Sequence, residues 1–132
     1  MSDVRPPIHV IRLHAAWRRT ERNGQVILAE RSSVSLPDAA PVDPSATIVS
    51  YQRKFNLPTG LEETSRVQLA SDLLQVAVLV QFNGLPLDIA ARSPAIDITA
   101  RLQKHNQITI DLPAAAMDAA QSSTAQLHIL SS

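Results

Sequence analysis

Hydrophobic and polar residues alternate with a period of two along much of this chain. In the stretch "TIVSYQRKFNLP", Val49, Tyr51, Phe55 and Leu57 share one phase with Arg53, while Ser50, Gln52, Lys54 and Asn56 take the other. Successive side chains of a strand point to opposite faces, so this pattern predicts a half-buried strand. "QITIDL" places Ile108, Ile110 and Leu112 together with Thr109 and Asp111 opposite, and "IRLHAAW" places Ile11, Leu13, Ala15 and Trp17 on one side. Residues 26–30, 66–70, 96–98 and 126–130 read as shorter strands. Residues 76–82, "VAVLVQF", are apolar in both phases apart from Gln81. A valine-rich run this short, ending at a turn, predicts a central strand covered on both faces.

The breaks between these runs carry turn chemistry. All three glycines stand where the pattern stops, in Asn23-Gly24, Thr59-Gly60 and Asn83-Gly84. Asn-Gly accepts positive φ at both central positions of a type I′ turn, whose twist suits paired strands, so the two Asn-Gly pairs predict hairpins. Residues 61–74, "LEETSRVQLASDLL", have helix-forming composition, but Val67 and Leu69 alternating with Arg66 and Gln68 favour a strand. "PAAAMDAAQ", residues 113–121, sets proline before an alanine-rich run and predicts a short helix or an ordered loop. Residues 35–46 hold three prolines without periodicity and form a long surface connection. Eight or so short strands, turn signals between them and little helix indicate one all-β domain over residues 1–132. The architecture expected is an antiparallel β-sandwich, with a jelly roll preferred because long and short connections mix.

Composition narrows the chemistry. Twelve basic residues balance twelve acidic ones, so the basic excess that neutralises nucleic-acid phosphates is missing. The densest basic group, Arg18, Arg19 and Arg22 interrupted by Glu21, reads as a solvated turn. Cysteine is absent, which excludes disulfides and thiolate metal sites. The start "MSDVRPPIHV" lacks a signal-peptide pattern and no apolar run is long enough to span a bilayer, so a soluble, cytoplasmic protein is expected. His9, His14, His105 and His128 show neither spacing that aligns two imidazoles for a metal. No nucleophile elbow, phosphate loop or dinucleotide fingerprint is present. Glycoside hydrolysis needs two carboxylates facing each other across a sugar. Glu62 and Glu63 are adjacent and would point to opposite faces of a strand, while Asp72, Asp88 and Asp97 fall near turns. These read as solvated or capping groups. No cofactor and no catalytic residue is expected.

Several stretches occur together in a familiar order: "HAAWRR", "VSLPDAA", "VSYQRKFNLP", "RVQLASDLLQVAVLVQFNGLPL" and "AIDITARLQKHNQITIDL". They resemble the sugar-binding, galactose-binding-like jelly-roll domain at the N-terminus of family 2 glycoside hydrolases such as β-galactosidases and β-glucuronidases. The resemblance runs from about Ile8 to Leu112, and "STAQLHIL" is similar to the family's closing strand. Its most specific parts are Asn83-Gly84 after a strand, Asp97-Ile98-Thr99 opening a helical turn, and the strand from Asn106. Thr99 is expected to cap that turn with its hydroxyl, with Leu102 tucked inward. This chain departs from the family in having Ile96 where an aromatic usually precedes the Asp. The loop "DIAARSPA" also lacks the usual glycines and aromatics.

The resemblance implies a fold and a non-catalytic carbohydrate-binding-like module, because the catalytic carboxylates of those enzymes lie in a separate barrel. A structural calcium occurs in the galactose-binding-like fold, but no run of Asp and Gly here proposes its ligands. Sugar sites usually stack an exposed aromatic ring on a pyranose and hold the hydroxyls with polar groups. Trp17, Tyr51, Phe55 and Phe82 all share strand phases with aliphatic residues, which reads as core. The ligand-binding candidates are therefore Arg92, Asp88 and Arg53, with Trp17 as the ring, on loops around residues 90–94 and 18–24. The rival expectation is a structural or oligomerising module that pairs with a second copy or an enzyme partner and binds no small molecule.

Overall fold

The computed structural model describes residues 7–130, with only the backbone described at residues 7 and 8; the stretch 1–6, read above as carrying no signal peptide, lies outside it. Ten strands follow in chain order: β1 (Pro7–Arg12), β2 (Trp17–Asn23), β3 (Val26–Val34), β4 (Ile48–Asn56), β5 (Arg66–Ala70), β6 (Leu79–Phe82), β7 (Leu85–Pro86), β8 (Ala95–Asp97), β9 (His105–Pro113) and β10 (Gln126–Leu130). Three 3-10 segments, Asp72–Gln75, Thr99–Arg101 and Ala114–Gln121, account for the helical content among the described residues. The strands form two antiparallel sheets, one ordered β1-β10-β5-β8 and the other β3-β2-β4-β9-β6-β7. The fold is an all-β antiparallel sandwich.

Alternation explains the layers. On β4 and β9 the inward phases, Val49 and Tyr51 against Leu112 and Ile110, are fully buried and pair directly across the strands. Val67, Leu69, Leu127 and Ile129 from the other sheet close the core from the opposite side. Burying an aliphatic side chain of this size contributes about 1.5–3 kcal/mol. Trp17 is fully buried, its ring edge-on to Tyr51 with centroids 6.5 Å apart, and its indole N–H donates to the Leu13 carbonyl. The run "IRLHAAW" is nevertheless not one strand. The chain leaves β1 after Arg12, turns through Ala16 with φ +67°, and enters the other sheet at Trp17. Leu13 and Trp17 stay inward on either side of that crossing.

Residues 76–82 also differ from the expectation. Only Leu79–Phe82 is extended; Val76 closes the preceding 3-10 turn with its N–H donating to the Leu73 carbonyl. Val78 and Leu79 are exposed, while Val80 and Phe82 are fully buried. One face of the strand is open because no second layer covers the outside of the six-stranded sheet there. The apolar run therefore records a change of element, not double burial.

The two Asn-Gly pairs make different turns. At Asn83-Gly84, φ is +52° and +81°, positive at both positions as type I′ requires, and Phe82 pairs with Leu85. At the other hairpin Asn23 pairs with Val26, so the central residues are Gly24 and Gln25, and of these only Gly24 has positive φ. That pattern matches type II′, which takes glycine first.

Thr99 does not cap its turn. The Asp97 carboxylate accepts from the Thr99 N–H at 2.8 Å, while the Thr99 hydroxyl accepts from Val67 N–H at 2.8 Å and ties the turn to β5. Leu102 packs against the core as expected.

The arginine group is not a solvated turn either. It lies on β2, and Arg19 is fully buried. Its guanidinium donates to Asp38 at 2.6 Å and to the carbonyls of Ala40 and Pro41, with Glu21 at 3.7 Å. Tyr51 donates its hydroxyl to the same Asp38 oxygen at 2.7 Å, and Glu21 accepts from Asp43 N–H at 2.7 Å. A buried charge persists only with partners. Here the proline-rich connection, residues 35–46, supplies them and is thereby fastened to the inner face of β2. Burial alone would raise the Asp38 pKa, but hydrogen bonds from Tyr51, Ala40 and Arg19 outweigh it and hold the carboxyl below its ordinary value. Burial and the neighbouring Asp38 together push the Tyr51 hydroxyl well above its ordinary range.

Candidate functional site

The four residues singled out from the sequence do not meet. Trp17 is in the core, out of reach of any ligand. Arg53 donates to the Ala15 carbonyl at 2.6 Å and to Lys54 O, bracing the crossing between β1 and β2, and its burial lowers the guanidinium pKa. Arg92 donates to the Ala77 carbonyl at 2.6 Å, so it staples the connection after β7 to the residues just before β6. Asp88 accepts from Ala90 N–H at 2.9 Å in a local turn. The proposed loops 18–24 and 90–94 are also apart. The first is β2 itself, and strands β4 and β9 separate it from β6, just before which Arg92 is anchored at Ala77.

A different set of side chains converges at one end of the six-stranded sheet. The end of β4, the start of β9 and the Asn83-Gly84 turn enclose an open cleft of about 750 Å³. It is lined by Lys54, Phe55, Asn56, Asn83, Gly84, His105, Asn106 and Gln107. Register places Lys54 opposite Gln107 and Asn56 opposite His105, and all four lie in the outward phase of their strands. His105 Nδ1 and Asn56 Oδ1 are 3.1 Å apart.

The turn is held rigidly. The Asn83 side chain accepts from Gln107 N–H at 2.8 Å and donates to Arg101 O and Asn106 Oδ1. Buried Asn106 accepts from Gln103 N–H and donates to Gln103 O, both at 2.8 Å. With Asn83 and Asn106 committed to the frame, the Gln107 amide and the Lys54 ammonium remain outside the hydrogen bonds among the described residues. Asn56, His105, Gln107 and Lys54 are then the groups available to a ligand.

Phe55 borders the cleft half-buried, but strand alternation turns its ring inward, where it lies 6.1 Å from fully buried Phe82. Trp17 and Tyr51 are fully buried as well. Three of the four rings are thus closed to stacking, and Phe55 keeps partial exposure at the cleft wall.

A second, shallower groove of about 330 Å³ crosses the outer face of the same sheet. Arg18, Thr20, Arg22, Glu30, Ser50 and Asp111 are among its lining residues. Its charges pair internally: Arg18 with Glu30 at 2.9 Å, and Arg22 with Asp111 at 3.0 Å, with the Ser50 hydroxyl donating to Asp111 at 2.6 Å. Glu30 and Asp111 are three strand spacings apart, roughly 14 Å between backbones at 4.7–4.9 Å per strand, and each is held by its own arginine. No Asp or Glu lines the cleft at the sheet end. Among the described residues no three His, Asp or Glu side chains gather as metal ligands, and no helix is long and apolar enough to cross a membrane.

The cleft was visible in the sequence as the Asn83-Gly84 turn, the strand from Asn106, and Lys54 and Asn56 in the outward polar phase of β4. What that phase could not give is the register that sets His105 and Gln107 beside it.

No protein-family model and no curated protein matches the sequence. Solved structures do match. An FMN-binding β-glucuronidase from Facaelibacterium prausnitzii L2-6 aligns over 90% of this chain with TM-score 0.57 and 18% identity. A rhamnosidase from Novosphingobium sp. PP1Y aligns over 86% with TM-score 0.56 and 20% identity. A β-glycosidase from Bacteroides vulgatus aligns over 92% with TM-score 0.58 and 16% identity. The chain spans 22%, 11% and 20% of those chains respectively, so the likeness is to one domain's worth of each enzyme. At these identities it is a likeness of fold: the sandwich is one that glycoside hydrolases contain.

Proposed function

We propose that this chain is a non-catalytic carbohydrate-binding-like module, of the kind carried by family 2 glycoside hydrolases, and that its saccharide site is the cleft between β4, β9 and the Asn83-Gly84 turn. The observation that carries this reading is the convergence of Asn56, His105 and Gln107 on an open cleft whose frame is already fixed by Asn83 and Asn106. Amide and imidazole groups both donate and accept hydrogen bonds, which suits vicinal hydroxyls, and a pre-ordered frame lowers the entropic cost of binding. The cleft has no carboxylate lining, which supports binding without hydrolysis.

Chemical-shift mapping with a panel of neutral and acidic monosaccharides at millimolar concentration tests the reading. Shifts confined to residues 54–56, 83–84 and 105–107 support it. Shifts around residues 90–94, or none with any sugar, overturn it.

The full burial of Trp17, Tyr51 and Phe82, with Phe55 half-buried, favours a second reading, a structural module that joins an enzyme partner or a second copy without a ligand. Pairing through the free edge of β3 is disfavoured by two register shifts that break its ladder with β2. Under this reading sedimentation finds a concentration-independent dimer or a stable complex, with no response to sugars.

A further inference from the structure

Building on the proposed saccharide site, we infer that the cleft selects an anionic pyranose, a uronate or a sulfated sugar, over its neutral counterpart. The chain has only two lysines, Lys54 and Lys104, and both are at this end of the sandwich. Lys54 lines the cleft. Lys104 precedes His105, and its carbonyl accepts from Leu57 N–H at 3.0 Å, which fixes that segment beside the end of β4. Arg101 adds a third cation next to the turn: its guanidinium donates to Pro86 O, and its carbonyl accepts from Asn83.

None of these three cations takes part in an ion pair between described residues. The arginines of the neighbouring strand β2, Arg18, Arg19 and Arg22, are all paired. Both lysines of a chain with zero formal net charge thus stand, with Arg101, around one cleft lined by no carboxylate, while Arg12, Arg31, Arg53, Arg66 and Arg92, also outside the ion pairs among the described residues, do not line it. An acidic sugar would place its carboxylate or sulfate toward Lys54, leaving its hydroxyls to Gln107, Asn56 and His105. The cations are exposed, so each contributes modestly and is screened by salt.

The experiment compares glucuronate, glucose and acetate by amide chemical-shift titration at pH 7, at low salt and at about 0.5 M salt, on the unaltered chain and on Lys54→Met/Lys104→Met. A dispersed amide spectrum certifies the variant's fold. Glucuronate is expected to bind the cleft about three- to ten-fold more tightly than glucose at low salt, with acetate weaker than either. The preference should shrink towards parity in high salt and in the variant. Glucose matching glucuronate at low salt overturns the inference while the saccharide site stands. Acetate matching glucuronate reduces the cleft to an anion trap and also overturns it. Absence of any sugar response removes the site and the inference together.

Discussion

Replacing Asp38 with alanine tests whether buried charge fastens the proline-rich connection to the sandwich. The carboxylate takes a 2.6 Å bond from Arg19, a 2.7 Å bond from Tyr51 and a 3.0 Å bond from Ala40 N–H. Truncation leaves the fully buried Arg19 with two carbonyls and a glutamate 3.7 Å away, and strands the Tyr51 hydroxyl. Removing one partner of a buried pair costs about 3–5 kcal/mol, and the remaining Glu21 places the expected loss near 3. Against a total stability of about 5–15 kcal/mol for a domain of this kind, that is a large fraction. Urea unfolding at pH 7 measures it directly. The triple variant Arg19→Met/Glu21→Gln/Asp38→Leu removes all three buried charges and should be more stable than Asp38→Ala, since no unpaired ion is left inside. A loss below about 1 kcal/mol for Asp38→Ala, or a triple variant less stable than the single one, would refute the reasoning.

Other outcomes follow from the same geometry. The Asp38 carboxyl lies below its ordinary value near 3.8 in the folded chain, so it adds stability above that pH and loses it as pH falls through the lowered folded value; acid titration of stability should show this dependence, and Asp38→Asn should flatten it. Phe82→Ala, at a fully buried position against Phe55, should cost about 3–5 kcal/mol in urea unfolding. Gly84→Ala places a side chain at φ +81° with open space around it, so calorimetry should show a backbone penalty of about 1–2 kcal/mol without a packing clash. Asn83→Ala removes the bonds to Gln107, Arg101 and Asn106, and amide exchange should quicken at Gln107 while the β2–β3 hairpin is unchanged.

The sandwich was legible because burial imposes period two. The phases of β4 and β9 in the sequence are those observed, and β5 and β10 span the residues expected, since each has one face on the core and one on solvent. Legibility failed where two elements share one apolar run. Residues 76–82 join a 3-10 turn to a four-residue strand, and residues 11–17 cross between sheets; hydrophobicity marks inward positions in both cases without marking the bend. It failed again at Arg19, Glu21 and Asp38. Charge predicts exposure on average, and only the folded path of residues 35–46 brings the compensating groups together. The cleft was half legible. Its Asn-Gly turn and outward polar phase were in view, but the partners come from a strand some fifty residues on. Arg92, Asp88, Arg53 and Trp17 were chosen by loop position and residue type; Arg92 and Arg53 brace backbone carbonyls, Trp17 is in the core, and Asp88 accepts one local backbone bond.

A crystal of this chain soaked with a glucuronate glycoside, solved beside one soaked with the matching glucoside, tests the central claim most directly. The account predicts sugar density between Asn56, His105 and Gln107, with the acidic group toward Lys54. Density in the groove around Arg18 and Glu30, or a cleft without sugar at saturating concentration, would contradict it.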